Sequence, residues 1–162
     1  MSIVRFLHLL VVAILLPIGA HAQGLNLAFG GIKQDTSQPV EVTADNLSVD
    51  QQNGTAVFSG NVLVGQGDMR LAAPRVLVVY AEDRGKIQRL EATGGVTLVS
   101  GPDAAEAERA DYNIDNGQVV LKGNVLLTQG QNAMTGNQLS VDLKTGTAQM
   151  GGRVKTILQP QE

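Results

Sequence analysis

Lys122-Gly123-Asn124-Val125-Leu126-Leu127-Thr128-Gln129-Gly130 reads as a β-strand, begun by a Gly-Asn bend and ended by a glycine. Nearly the same phrase, Gly60-Asn61-Val62-Leu63-Val64-Gly65-Gln66-Gly67, stands 63 residues earlier. Two looser copies, Gly94-Gly95-Val96 and Gly152-Arg153-Val154, complete a series spaced by 34, 29 and 29 residues. Each copy follows an alternating strand, a turn and a second alternating strand. Leu47-Ser48-Val49, Asn53-Gly54 and Ala56-Val57-Phe58 precede the first; Tyr112-Asn113-Ile114, Asn116-Gly117 and Val119-Val120-Leu121 precede the third. Two strands per unit at a period near 30 is the pattern of a stacked or rolled all-β architecture.

Outward from these units the alternation covers most of the chain. Val40-Glu41-Val42-Thr43-Ala44-Asp45 is apolar on even positions, and a one-residue slip at Asn46 predicts a bulge. Asn53-Gly54 and Asn116-Gly117 are hairpin signals. Pro74 predicts a strand start or edge. Residues 75–80 are a continuous apolar run, which predicts a strand covered on both faces. Residues 103–110, rich in Ala and Glu among β neighbours, read as a loop or extended segment. The sum is an all-β fold of about 14–16 short antiparallel strands with internal repeats. Much of the glycine sits at recurring turns and bends, where it shapes the sheet.

Residues 1–22 have the form of a secretory signal peptide: Arg5, an apolar run over 6–16, Pro17, and the cleavage triplet Ala20-His21-Ala22. The apolar run falls short of the roughly 20 residues a membrane span needs, so cleavage after Ala22 and export are expected. Residues 23–38 read as a mobile N-terminal arm that could dock on a partner, and 39–160 as the β domain.

Removing the leader limits the chemistry. Both histidines, His8 and His21, lie in it, and the chain has no Cys and no Trp. Imidazole or thiolate metal sites, a Ser-His-Asp triad and a cysteine nucleophile are excluded from the mature chain. No disulfide holds the exported protein, so sheet pairing and an apolar interior must. With Arg5 gone, 11 basic residues face 15 acidic ones, which gives no electrostatic reason to bind nucleic acid. Glu82/Asp83 and Glu106/Glu108 lack the aromatic platforms a glycosidase would place beside its carboxylates. Arg84, Lys86 and Arg89 are interleaved with Glu82, Asp83 and Glu91, a self-neutralised surface. Asp45, Asp50, Asp111 and Asp115 do not have calcium-loop spacing. The expectation is no catalytic residue, no metal and no cofactor.

Function then falls to the inward face. The alternating strands put Val40, Val42, Leu47, Val49, Phe58, Tyr112, Ile114, Leu139, Val141 and Leu143 on one side, and Val62, Leu98 and Leu121 join them as candidate lining residues. The mature chain has only four aromatics, Phe29, Phe58, Tyr80 and Tyr112. Large aromatics commonly fill the middle of a packed β core, and an interior of Val, Leu and Ile can instead leave a slot. Taken alone, the pattern favours an ordinary filled aliphatic core over a ligand groove.

A resemblance shifts that balance. Pro39-Val40-Glu41-Val42-Thr43-Ala44-Asp45, the two Gly-Asn-Val phrases and the tail Gly152-Arg153-Val154-Lys155-Thr156-Ile157-Leu158-Gln159-Pro160 are similar to the periplasmic lipopolysaccharide-transport bridge proteins of the OstA-like superfamily. The similarity spans about residues 39–160; its motifs are short, and their order gives it specificity. The chain departs from the pattern in its longer, apolar-dotted arm before Pro39 and in the Ala/Glu-rich stretch. The resemblance implies a long, twisted β-jelly roll, open along one side, holding lipopolysaccharide acyl chains against a wall that includes Val40, Val42, Val49, Tyr112 and Ile114. It further implies head-to-tail stacking of copies between an inner-membrane export complex and an outer-membrane translocon. At such a joint the first regular strand meets the last, where Val154 and Ile157 are the candidate apolar contacts. The competing expectation is a non-enzymatic β scaffold with a filled core that binds protein partners only.

Overall fold

The computed structural model describes residues 35–82 and 85–158, and the strand Asn26–Ala28. The proposed leader, 1–22, lies outside the described residues. Among the described residues eleven strands form one antiparallel sheet: β1 Asn26–Ala28, β2 Glu41–Thr43, β3 Asn46–Asp50, β4 Thr55–Gln66, β5 Met69–Tyr80, β6 Ile87–Ser100, β7 Asp103–Asn113, β8 Gln118–Gln129, β9 Asn132–Asp142, β10 Thr147–Gly151 and β11 Lys155–Ile157. Strands β4 to β9 pair with their neighbours in sequence, as successive hairpins. At one end β2 and β3 both pair with β4; at the other, β10 and β11 both pair with β9, and β1 adds to β10.

The strands among the described residues are fewer and longer than the expected 14–16, because three of the four Gly-x-Val units bend a strand without ending it; the fourth, Gly152-Arg153-Val154, separates β10 from β11. Register shifts between Ser59 and Val62, Thr93 and Val96, and Lys122 and Val125 mark bulges in β4, β6 and β8. At each, two residues face one on the next strand: Gly60-Asn61 opposite Pro74, Gly94-Gly95 opposite Glu108, and Gly123-Asn124 opposite Asn137. Gly60 and Asn61 have φ of 79° and 46°; Gly123 and Asn124 have 84° and 46°. Two successive left-handed residues reverse the local curvature, and glycine followed by asparagine is the pair that accepts this at least cost. An acidic side chain from the segment paired on the other side seals the bend. Asn61 Nδ2 donates to Asp45 Oδ2 at 2.8 Å, and Asn124 Nδ2 to Glu108 Oε1 at 2.6 Å. The slip expected at Asn46 is this same bend, seen from β3.

The aligned bulges fold the sheet onto itself. Tyr112 pairs with Leu90, Leu90 with Val78 and Val78 with Ala56, so Gln66 lies ten residues further along β4 than Tyr112's own row. In a flat sheet that offset alone would be about 33 Å. Yet Tyr112 Oη donates to Gln66 Oε1 at 2.5 Å. The half-strands on the two sides of the bulge line are therefore facing layers, with the line as their corner. No helix occurs among the described residues, so each layer's inward face is covered by the other. Leu121, Leu139, Val141, Val119, Leu127 and Met69 are fully buried there. Burying each such side chain is worth roughly 1.5–3 kcal/mol.

One local expectation narrows and three change. Residues 103–110 belong to strand β7: alanines 105, 107 and 110 face inward beside larger neighbours, and the intervening acidic residues face out. Pro74 sits inside β5, at a register shift that removes the need for its missing amide hydrogen. The run 75–80 is covered on one face only, with Val76 and Val78 buried and Leu77 and Val79 half-buried on the other. Part of the 23–38 arm is ordered strand, β1, paired with β10.

The two margins opposite the corner use different turns. One has two-residue loops with a left-handed glycine first, at Gly67, Gly101 and Gly130. The other has four-residue loops closed by Gly54, Gly117 and Gly146. There Asp50 Oδ1 accepts the amides of Gln52 and Asn53, and Asp142 Oδ1 those of Lys144 and Thr145. These bonds hold both carboxyls below the ordinary aspartate range, chiefly through the Asn53 side chain for Asp50 and the Thr145 amide for Asp142.

Candidate functional site

The inward face is the candidate site, and the expected lining residues divide by position along it. Val62, Leu98, Tyr112, Leu121, Leu139 and Val141 are buried in the facing layers. Val40, Val42, Phe58 and Ile114 are half-buried and pack against that core. Leu47 and Val49 lie at the end of the roll. Leu47 pairs with Phe58 and Val49 with Ala56, which puts both on the inward side, yet they are 57% and 59% exposed. No strand extends the sheet beyond β3 among the described residues, so this stretch of the inner wall is uncovered. Beside it, Val49, Asp50, Gln51, Gly54, Thr55 and Tyr80 line a depression of about 300 Å³. Apolar surface therefore runs from the closed interior to an open end.

At the opposite end β11 presents Ile157, 49% exposed, and Val154 just before it, 42% exposed. Ile157 pairs with Ala133, whose neighbour Met134 is buried, so Ile157 points to the outer side. The first and last regular strands thus stand at opposite ends of the sheet. Among the described residues, both β2 and β11 pair on one side only.

The sequence reading missed a polar row inside the roll. Gln66 pairs with Met69, Met69 with Ser100, Ser100 with Asp103, Asp103 with Gln129, and Gln129 with Asn132. Gln66, Ser100 and Asp103, all buried, belong to it. Gln66 Nε2 donates to Thr36 O and Gln38 O at 3.1 and 2.9 Å, and its Oε1 accepts from Tyr112. One amide thus ties the segment before β2, the end of β4 and the opposite layer. Gln129 Nε2 donates to Asp103 Oδ2 at 3.3 Å. The signal was present: a polar residue directly before the turn glycine in Gln66-Gly67, Ser100-Gly101 and Gln129-Gly130. Burial raises the Tyr112 hydroxyl pKa to about 12, against the opposing effect of its bond to Gln66.

The outer surface is self-neutralised. Asp111 is bridged by Arg109 at 3.2 Å and Lys122 at 3.3 Å, and Arg89 meets Glu91 at 2.7 Å. Exposed pairs of this kind are worth about 0–1 kcal/mol.

A folded sheet with an apolar inner face, bent on a line of glycine bulges and unclosed at its edges, is an open β-jelly roll. Residues 41–147 match the family model described as "LptA/(LptD N-terminal domain) LPS transport protein". The chain belongs to this family of lipopolysaccharide transport proteins. It is 36% identical over 160 residues to an uncharacterized protein of Rhizobium meliloti (strain 1021), covering 92% of this chain and 86% of that one. It is 30% identical over 142 residues to the lipopolysaccharide export system protein LptA of Haemophilus influenzae, covering 81% and 83%. The crystal structure of LptH from Pseudomonas aeruginosa, titled a periplasmic component of the lipopolysaccharide transport device, superposes with a TM-score of 0.70. That match covers 78% of this chain and 99% of LptH at 22% identity, a likeness of fold.

Proposed function

We propose that this protein is a non-enzymatic periplasmic carrier that holds lipopolysaccharide acyl chains against its inner face. Copies stack head to tail between an inner-membrane export complex and an outer-membrane translocon. The observation that carries the reading is the inner wall running from the buried interior to exposed Leu47 and Val49. An acyl chain gains roughly 0.8 kcal/mol per CH₂ moved from water to such a surface, and sliding along it needs no catalytic group. The free edges of β2 and β11 at opposite ends suit β-augmentation between copies. A heterologous joint of that kind gives an open filament. Export follows cleavage after Ala22, which leaves a mature N-terminus at Gln23 measurable by intact mass.

The full burial of Val119, Leu121, Leu139 and Val141 favours a second reading, a scaffold with a filled core that binds protein only. Ile114→Asp separates the two. Ile114 is half-buried, so in a slot that can open its carboxylate stays partly hydrated. The carrier reading expects a variant that melts near wild type and loses bound lipopolysaccharide by mass spectrometry. A filled core expects the unpaired charge to cost several kcal/mol and the domain not to fold.

A further inference from the structure

Strands β1 and β3 take the same rows at opposite ends of the sheet. Followed from strand to strand, the row of Val49 reaches Ala148 in β10, and Ala148 pairs with Leu27 in β1. The rows of Ser48 and Asp50 end likewise at Asn26 and Ala28. Every pairing along the way is antiparallel, so β1 also runs in the direction of β3. On the edge of β10, β1 therefore stands where β3 of a second copy would stand if the sheet continued into it. The sequences correspond as well: Leu25-Asn26-Leu27 and Leu47-Ser48-Val49 share one apolar–polar–apolar pattern.

The second copy fits that edge more fully than β1 does. Strands β3 and β10 each have five residues and span the same five rows, from Asn46 against Gly151 to Asp50 against Thr147. Strand β1 pairs only with Thr147, Ala148 and Gln149. On the other side of the corner, β2 and β11 span one set of three rows, from Glu41 against Ile157 to Thr43 against Lys155. Both halves of the sheet can thus continue at once. The bend between them matches too: four residue steps from Gly151 to Lys155 would face three from Thr43 to Asn46, the one-residue excess seen at the other bulges. In this register exposed Leu47 and Val49 meet Met150 and Ala148, the buried residues of β10, and Glu41 lies diagonal to Lys155.

Only β1 stands in the way. We propose that β1 is a placeholder that occupies the β10 edge in a single copy and gives way when β3 of a second copy pairs there. The incoming β3 pairs along five residues where β1 pairs along three, while β1, tethered to its own chain, needs no second molecule. The arm thereby sets the concentration at which copies join, and it covers an open edge that would otherwise invite unspecific pairing. The proposal rests on the head-to-tail reading above and adds the strand that holds assembly back.

Asn26→Pro with Leu27→Pro removes the backbone donor from whichever of the two adjacent residues points at β10. In sedimentation this variant should assemble at about tenfold lower concentration than wild type, the scale of one or two net hydrogen bonds no longer competing. Asn26→Cys with Gln149→Cys joins Cα partners in a chain that has no other cysteine. Oxidation should lock β1 in place and keep the protein monomeric, and reduction should restore assembly. Copies carrying Ser48→Cys or Gln149→Cys alone, mixed and oxidised, should give a mixed disulfide dimer, since the two positions lie at opposite ends of one chain. Circular dichroism checks that each variant is folded. Where wild type assembles, the placeholder is overturned by a proline variant that assembles no more readily, by a locked variant that still assembles, or by the absence of the mixed dimer. The head-to-tail reading survives each of these. If neither wild type nor the proline variant assembles at any concentration, the head-to-tail reading fails and the placeholder with it.

Discussion

Val49 and Val141 sit on one cross-strand row, linked through Ala56, Val78, Leu90, Tyr112 and Val119. Both point inward from antiparallel strands. Val49 is 59% exposed, and Val141 is fully buried. The side chains are identical, so the difference comes from what each strand has beside it. On the outward side of β9 come β10, β11 and then β1; beyond β3 no further strand follows among the described residues. The same valine is core at one place and uncovered wall at the other, which makes the two ends of the roll unlike. A joint between such ends brings two different surfaces together and so has a direction.

The sharpest way to break the comparison is to charge both positions. Val141→Asp should bury an unpaired carboxylate and cost several kcal/mol, enough to prevent folding. Val49→Asp should stay within about 0.5 kcal/mol of wild type in urea unfolding, as a solvated site does. Equal losses would mean that the β3 end is covered in solution.

A smaller effect tests the closed stretch of the row by pH. In the folded protein the Tyr112 hydroxyl is raised to about 12 from its ordinary 10. Above pH 10 the unfolded chain loses this proton while the folded one keeps it. The stabilisation is therefore present below pH 10 and lost between about pH 10 and 12. The loss should approach roughly 2–3 kcal/mol at the top of that window. Tyr112→Phe should flatten that part of the stability curve; an unchanged slope would show that the ring is not enclosed.

The smallest effect on stability falls at the far end. Ile157→Pro removes an amide donor from β11, a strand of three exposed residues. The melting temperature should barely move, while sedimentation should show monomers at concentrations where wild type assembles. Wild-type-like assembly would rule out β11 as the joint.

The sequence showed the repeat and the inward face because both are written in residue types: alternation at period two, and Gly-x-Val at each bend. It did not show that a Gly-Asn pair bends a strand rather than ending it, since the same dipeptide serves both purposes and only the partner's register decides. Alanine at 105, 107 and 110 carries so little hydrophobic signal that the start of β7 could not be told from a loop and read as a loop or extended segment. Exposure at Leu47 and Val49 was hidden for another reason: local pattern reports which face a residue takes, and only topology reports whether a neighbour covers it. The polar row was passed over because a glutamine before a turn glycine looks like part of the turn.

The corner bends also set a unit of length. Each two-strand unit brings its own Gly-x pair and the side chain that seals it, Asp45 over Gly60 and Glu108 over Gly123. The bend therefore needs nothing from distant parts of the chain. Neighbouring strands stand about 4.8 Å apart, so one unit advances the roll by about 10 Å. A relative with one unit more or fewer would keep the same cross-section and differ only in reach. The span a single copy can cover is thus graduated, in steps the chain can add or remove whole.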